Sequence, residues 1–350
     1  MIMVGAMAAV LWITGMVMGT PRQARWTMIG ILMVAVIAGH IVLPDGHPLR
    51  EATGGDARLW LLILAGGALV WGYGRILGRL RRRAEARDAP APKAGGFSPT
   101  ELDRYARHII LREVGGPGQK ALKEAQVLVV GAGGLGSPAL QYLAAAGVGT
   151  IGVIDDDVVD NANLQRQVIH VDAAIGAPKV HSAAEAIAAQ NPFVTVRPYQ
   201  RRLTEEIAAE LFADYDLILD GSDNFDTRYL VNQVAVAQGK PLIAAALTQW
   251  EGQISLYDPK RGGPCYRCLF PQAPDASLVP TCAEAGVIGP LPGVVGSMMA
   301  VEAVKQITDA GEGLRGRLLI YDALYAETRV IAAKARADCP DCGGQGLQGA

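Results

Sequence analysis

Charged and apolar positions are distributed unevenly along the 350-residue chain. Met1–Thr20 carries no charge, Trp26–Leu43 has His40 as its one titrating side chain, and Leu59–Gly74 is a third apolar run, rich in Leu, Trp and Gly. A helix crossing lipid needs roughly 20 apolar residues, with roughly 17 tolerated. Each run is therefore read as a membrane helix, the third one short enough to need bilayer thinning or snorkelling by Arg58 and Arg75. Trp12, Trp26, Trp60, Trp71 and Tyr73 supply rings for an interfacial belt. Two other readings stand beside this one. The first run is a cleaved signal peptide, against which it lacks a basic start; or all three runs are buried core helices, against which they lack a polar face. Arg22 and Arg25 in the first linker, and the basic stretch Arg75–Arg87, put those segments in the cytoplasm and the N-terminus outside. The expectation is a multi-pass protein of the inner (cytoplasmic) membrane, with lipid as one partner. Its remaining chain then lies in the compartment with ATP and reduced thiols.

The pattern predicts a transmembrane region over 1–87, a Pro/Ala/Gly linker over 88–97 and a soluble domain over 98–343. Ser98 and Glu101 form a capping pair, and Leu102–Glu113 reads as a basic helix carrying Arg104, Arg107 and Arg112. Val127–Val130 is an uninterrupted apolar strand, as in a sheet covered on both faces. Gly131, Gly133 and Gly136 follow as G-x-G-x-x-G, then a helix, then strand Ile151–Ile154 ending in Asp155. That order predicts an α/β fold: a Rossmann-like doubly wound sheet that holds a nucleotide at its glycine turn. Further on, Pro241–Thr248 and Gln253–Tyr257 read as strands. Val294–Thr308 reads as a helix with Glu302 and Lys305 outward, and Leu318–Asp322 as another strand.

Composition sharpens this picture at two points. Lys and Arg total 32 against 34 for Asp and Glu, so no global charge argues for nucleic acid as a partner. Of five cysteines, four form the pairs Cys265-x-x-Cys268 and Cys339-x-x-Cys342. Such spacing reads as metal ligation, here a closed structural zinc site that pins the Cys265 hairpin to the C-terminal tail. Redox-active pairs are the competing reading, although no thioredoxin-like unit surrounds them. Cys282 is left over.

The glycine turn alone fits an NAD(P)-dependent oxidoreductase equally well. Arg166, Lys179 and Asp223 break the tie, because a triphosphate site needs cations and a metal-binding carboxylate.

The stretches YARHIIL, GAGGLGS, NLQRQ, GAPK, SDN, EGQISLY, PCYRC and TCAEAGVIGPLPGVVGS, with the final cysteine pair, run in order over about Glu101–Gly343. Together they resemble the MoeB/ThiF/HesA family, bacterial relatives of ubiquitin-activating enzymes, and MoeB most closely. The resemblance implies a homodimeric adenylyltransferase acting on the C-terminal glycine of a ubiquitin-like sulfur-carrier protein that ends in Gly-Gly. That carrier is MoaD-like, for molybdopterin, or ThiS-like, for the thiazole of thiamine. The resemblance also implies ATP, Mg²⁺ and Zn²⁺ as cofactors. Gly133 then lies against ATP, Asp155 binds ribose, and Asn163, Arg166 and Lys179 hold phosphate. Gly131, Gly134, Gly136, Leu164, Gln165 and Asn224 belong to the same pocket. Asp223 holds Mg²⁺, and Arg107 reaches into the partner subunit's site. Cysteines at the position of Cys282 form a thioester or sulfur-bearing linkage in some members and are dispensable in others, and both readings stay open here. A separate sulfurtransferase or cysteine desulfurase is expected to donate sulfur. The rival classes are the oxidoreductase, a non-catalytic membrane zinc adaptor, and a tRNA-modifying relative, which would need a more basic surface.

Overall fold

The computed structural model describes residues 2–54, 56, 58, 60–62, 65–69, 72–75, 96–274 and 285–343. It divides the chain into the units Met1–Ala91 and Pro92–Ala350. Helices α1 (Ile2–Val17), α2 (Arg22–Val42) and α3 (Pro48–Thr53) open the first unit. Among the described residues one helix is long and apolar enough to cross a membrane, over Gln23–Val42. This corrects the expectation of three spans. With 16 residues, α1 rises about 24 Å, short of the roughly 30 Å hydrocarbon core. The third run, 59–74, falls partly outside the described residues, and its described portions are helical. Between the first two runs and the third, α3 is capped by the His47 ring and begins with proline.

The larger unit is built on one eight-stranded sheet in the order β3-β2-β1-β4-β5-β6-β7-β8. The strands are β1 (Gln126–Val130), β2 (Thr150–Ile154), β3 (Thr195–Tyr199), β4 (Leu217–Asp220), β5 (Leu242–Leu247), β6 (Glu251–Tyr257), β7 (Arg317–Asp322) and β8 (Glu327–Ala332). From β3 to β5 the pairing is parallel; from β5 to β8 it is antiparallel. The doubly wound half matches expectation. The antiparallel wing makes the sheet mixed, and its last strand, exposed at every residue, is not among the strands the sequence predicts.

The helices of this unit are α4 (Pro99–Arg104), α5 (Ala106–Ile110), α6 (Gly115–Glu124), α7 (Gly136–Ala146), α8 (Lys179–Gln190), α9 (Glu205–Ala213), α10 (Phe225–Ala237), α11 (Tyr266–Leu269) and α12 (Pro290–Thr308). In β1, Val127 and Val129 pack under α7, α8 and α12, while Leu128 and Val130 face α9 and α10. Both faces are covered, which is why the strand reads as continuous apolar sequence. The Ser98–Glu101 capping box is formed in both directions.

Two local expectations are corrected. The basic helix Leu102–Glu113 is broken at Tyr105 (φ −95°, ψ 6°), whose buried side chain takes a hydrogen bond from Asn191. Arg112 lies beyond its end. Glu302 does not point outward: its buried carboxylate accepts from the Lys305 ammonium at 2.5 Å and the Leu314 N–H at 2.8 Å. That bond secures the loop leaving α12.

Candidate functional site

β1, β2 and β4 are neighbours in the sheet, and their C-terminal ends deliver the candidate residues to one edge. The turn after β1 is closed on itself. Gly131 has φ +93°, and a Cβ placed on Gly136 would lie 1.9 Å from the Gly131 carbonyl oxygen. Only glycine fits that close approach. The backbone of Ala132 is held on both sides of its Cα. Its N–H donates to Asp155 Oδ2 at 2.7 Å, and its carbonyl accepts from His170 Nε2 at 2.9 Å. Asp155 Oδ1 takes the Asp157 N–H at 2.8 Å. Each of its oxygens keeps a lone pair for a ribose hydroxyl.

Lys179 is the first residue of α8 and only 4% exposed. Its ammonium donates to Asp157 Oδ2 at 2.7 Å. Arg166 donates to Asn163 Oδ1 at 2.6 Å, so Asn163 serves as a brace for the guanidinium. Leu164 is half-buried and Gln165 is exposed. Gln165 Oε1 and its backbone carbonyl crowd Gly289, just before α12. Gln167 is buried, and its Oε1 has no partner among the described residues. Its Nε2 lies 3.6 Å from where a Cβ on Gly133 would sit. Gly134 faces Pro292.

At the end of β4, buried Asp220 accepts from the Ser222 N–H at 2.9 Å and lies 4.0 Å from buried Arg228. Arg228 also donates to the Ser222 carbonyl. This brace leaves Asp223 exposed, with no hydrogen bond or ion pair among the described residues. Asn224 is the N-cap of α10, its Oδ1 accepting from the Thr227 N–H at 2.9 Å. Arg107 is exposed on α5. Cys282 lies outside the described residues.

The histidines show no ligand spacing, and sequence reading assigns them no role. His170 is nonetheless bonded at both ring nitrogens. Because a carbonyl only accepts, Nε2 carries the proton toward Ala132, and Nδ1 accepts from Ser182 Oγ at 2.9 Å. Burial pushes its pKa below the ordinary histidine value.

The four paired cysteines converge. All are buried, their sulfurs lie within 4.8 Å of one another, and the measured neighbours are 3.5 to 3.7 Å apart. A tetrahedral zinc with Zn–S near 2.3 Å sets sulfurs about 3.8 Å apart, whereas a disulfide needs about 2.05 Å. The residues fit a closed four-thiolate zinc centre. Burial raises the Cys265 pKa far above the ordinary thiol range, a penalty that a bound dication offsets. Asn232 on α10 joins the two pairs. It accepts from the Tyr266 N–H at 2.8 Å and donates to Asp341 Oδ2 at 2.6 Å. Arg267 holds the same carboxylate at 3.0 Å.

Residues 105–342 match the ThiF family. The chain is 51% identical over 256 residues to the sulfur carrier protein adenylyltransferase of Thermus thermophilus, covering 72% of this chain and 94% of that one. It is 51% identical over 248 residues to the SAMP-activating enzyme E1 of Haloferax volcanii, covering 71% and 91%. The adenylyltransferase and sulfurtransferase MOCS3 of Bos taurus is 46% identical over 256 residues, 73% of this chain but 56% of that longer relative. Among solved structures, E. coli MccB with ATP superposes with a TM-score of 0.61 over 69% of this chain and 74% of that one. At 22% identity, that is a likeness of fold.

Proposed function

The chain belongs to the ThiF family, and from that premise we propose that it is a nucleotidyltransferase that adenylylates the C-terminal glycine of a ubiquitin-like sulfur-carrier protein. The observation that carries this reading is the single sheet edge where the closed glycine turn, Asp155 and the uncommitted Asp223 emerge from β1, β2 and β4. Ligands of such sheets bind where the strand order reverses, beside the central strand. Here that strand is β1.

The chemistry needs no nucleophile from the protein. A carboxylate oxygen of the carrier attacks the α-phosphorus of ATP, the bond to the bridging oxygen breaks, and pyrophosphate leaves with the electron pair. The product is an acyl-adenylate, and no proton is transferred. Two anions must approach one another, so the fixed cations carry most of the acceleration. Asn163 aims the Arg166 guanidinium at phosphate. The Lys179 ammonium has three donors, so it can keep Asp157 and take a phosphate oxygen as well. Asp155 holds ribose. Asp223 fits Mg²⁺ because it is a hard oxygen ligand with no competing partner; the ion, when bound, neutralises phosphate charge. The zinc centre is structural, since four thiolates leave no open position.

The partner assignments are part of the proposal. Arg107 is exposed as it must be to enter a second subunit's site, which favours a homodimer. Motif wording closest to MoeB favours a MoaD-like carrier over a ThiS-like one, and sulfur comes from a separate donor protein. The N-terminal unit tethers the enzyme to the inner membrane, with the adenylylating unit in the cytoplasm. Helix α2 supports at least one crossing.

The test is ATP–pyrophosphate exchange by the purified, zinc-replete protein with each Gly-Gly carrier of its host. Exchange that requires the carrier's terminal glycine is the expected result. An oxidoreductase would instead change pyridine-nucleotide absorbance and show no exchange. Removing residues 1–96 leaves exchange intact if the N-terminal unit only tethers. An inactive truncation that still folds refutes simple tethering.

A further inference from the structure

We propose that His170 is a positioning residue for ATP: it fixes the glycine turn, the Arg166 segment and the Lys179 helix in one relative geometry. The inference rests on the adenylylation reading and concerns the same site.

Three pieces of chain that face the nucleotide come from separate parts of the sequence. The exposed rim of the site is tied by the stretch Asp155–Asp157, through Ala132 and Lys179. The buried side is tied by His170. Its Nε2–H donates to the Ala132 carbonyl, within the glycine turn. Its Nδ1 accepts from Ser182, one helical turn after Lys179 on α8. Its own backbone N–H closes on the Gln167 carbonyl at 3.1 Å, and the Gln167 N–H closes on the Asn163 carbonyl at 3.0 Å. The ring therefore hangs from the turn that carries Arg166 and Gln167.

A histidine that merely filled this space would be poorly suited to it. The imidazole is 5% exposed, so both of its nitrogens require partners, and a leucine or phenylalanine would fill the volume without that demand. Here both nitrogens are matched with the one neutral tautomer that fits. The consequence falls on the two peptide groups that flank Ala132: the Asp155 bond fixes the Gly131–Ala132 plane and the His170 bond fixes the Ala132–Gly133 plane. In a trans peptide the Gly133 N–H points opposite to the held Ala132 carbonyl, so its direction is fixed as well. Freeing the carbonyl lets the Ala132–Gly133 plane rotate, which weakens nucleotide binding before it alters the reacting atoms.

Three variants of the full-length protein test this: H170Q, which keeps a donor for Ala132; S182A, which removes only the outer bond; and H170F, which keeps ring volume and removes both. Equilibrium dialysis with labelled ATP reads affinity directly, and carrier-dependent exchange gives KM for ATP and kcat. With H170F, the ATP dissociation constant and KM rise by about tenfold or more, while kcat at saturating ATP stays within about threefold. S182A shows a smaller rise of about threefold, and H170Q recovers most of the loss. If H170F and S182A bind ATP as wild type does, while their melting temperatures fall, His170 is a core residue and the inference is overturned. Should H170F fail to fold, S182A still decides. Wild-type protein that binds no ATP overturns the adenylylation reading instead.

Discussion

Replacing Asn232 with alanine tests how the four-cysteine cluster is joined to the sheet edge that carries Asp223. Asn232 is 0% exposed and sits on α10, the helix that starts beside Asp223. Tyr266 lies inside the first cysteine pair and Asp341 inside the second, so a single carboxamide clasps both pairs to that helix. Alanine leaves the buried Tyr266 N–H without an acceptor and leaves Asp341 with Arg267 as its side-chain partner among the described residues. A buried polar group stripped of its partner costs about 1–3 kcal/mol. Asp341 keeps one partner, so its share lies at the low end and the sum comes to about 3 kcal/mol. For a unit of this size that lowers Tm by about 6–12 °C. Loss of such an outer bond weakens metal affinity about 10- to 100-fold. Differential scanning fluorimetry reads the first quantity, and zinc transfer to a chromophoric chelator the second. Asn232→Asp keeps the acceptor for Tyr266 but sets a carboxylate against Asp341, and is expected to be no better than alanine. If Asn232→Ala melts within about 2 °C of wild type and yields its zinc at the same rate, the clasp is not what holds the centre.

Three further outcomes follow from the same geometry. Gly136→Ala forces a Cβ against the Gly131 carbonyl, so the turn must open and ATP affinity, read by dialysis, falls at least about tenfold. Asp223→Asn, at an exposed and uncommitted position, shifts Tm by less than about 2 °C while carrier-dependent exchange drops about 100-fold; a large Tm change would show that the residue is structural. Because the folded pKa of His170 is depressed, the unfolded chain binds the extra proton. Its contribution to stability is thus complete above about pH 6.5 and is lost on acidification below that. Melting curves from pH 7.5 down to 5 check this, and H170Q is expected to flatten the acid limb.

The parts of the molecule legible in sequence are those written as local pattern. Val127–Asp155 could be read because both faces of β1 are covered and the turn admits only glycine at Gly136. The cysteine pairs were legible because four thiolates in two short spacings have few other uses. What escaped depends on long-range partners. His170 stands in no motif, and its meaning comes from Ala132 and Ser182, 38 and 12 residues away. Asn232 looks like one polar position on an amphipathic helix until Asp341, 109 residues on, is brought to it. Glu302 reads as an outward-facing residue of its helix, and only the Leu314 bond explains its burial. The short α1 shows the converse limit: hydropathy marks an apolar stretch, but where Gly19 turns the chain (φ +69°) decides how much of it is helix.

Cys265 and Cys339, 74 residues apart, close a loop that contains α12, β7 and β8. During synthesis, therefore, a zinc ion that needs all four thiolates would be captured only after the strands that complete the sheet have left the ribosome. Loading would mark a chain made at least as far as Cys342. A product cut short ahead of Cys339 would offer the metal its first pair alone, and would be distinguishable from the longer chain by metal content.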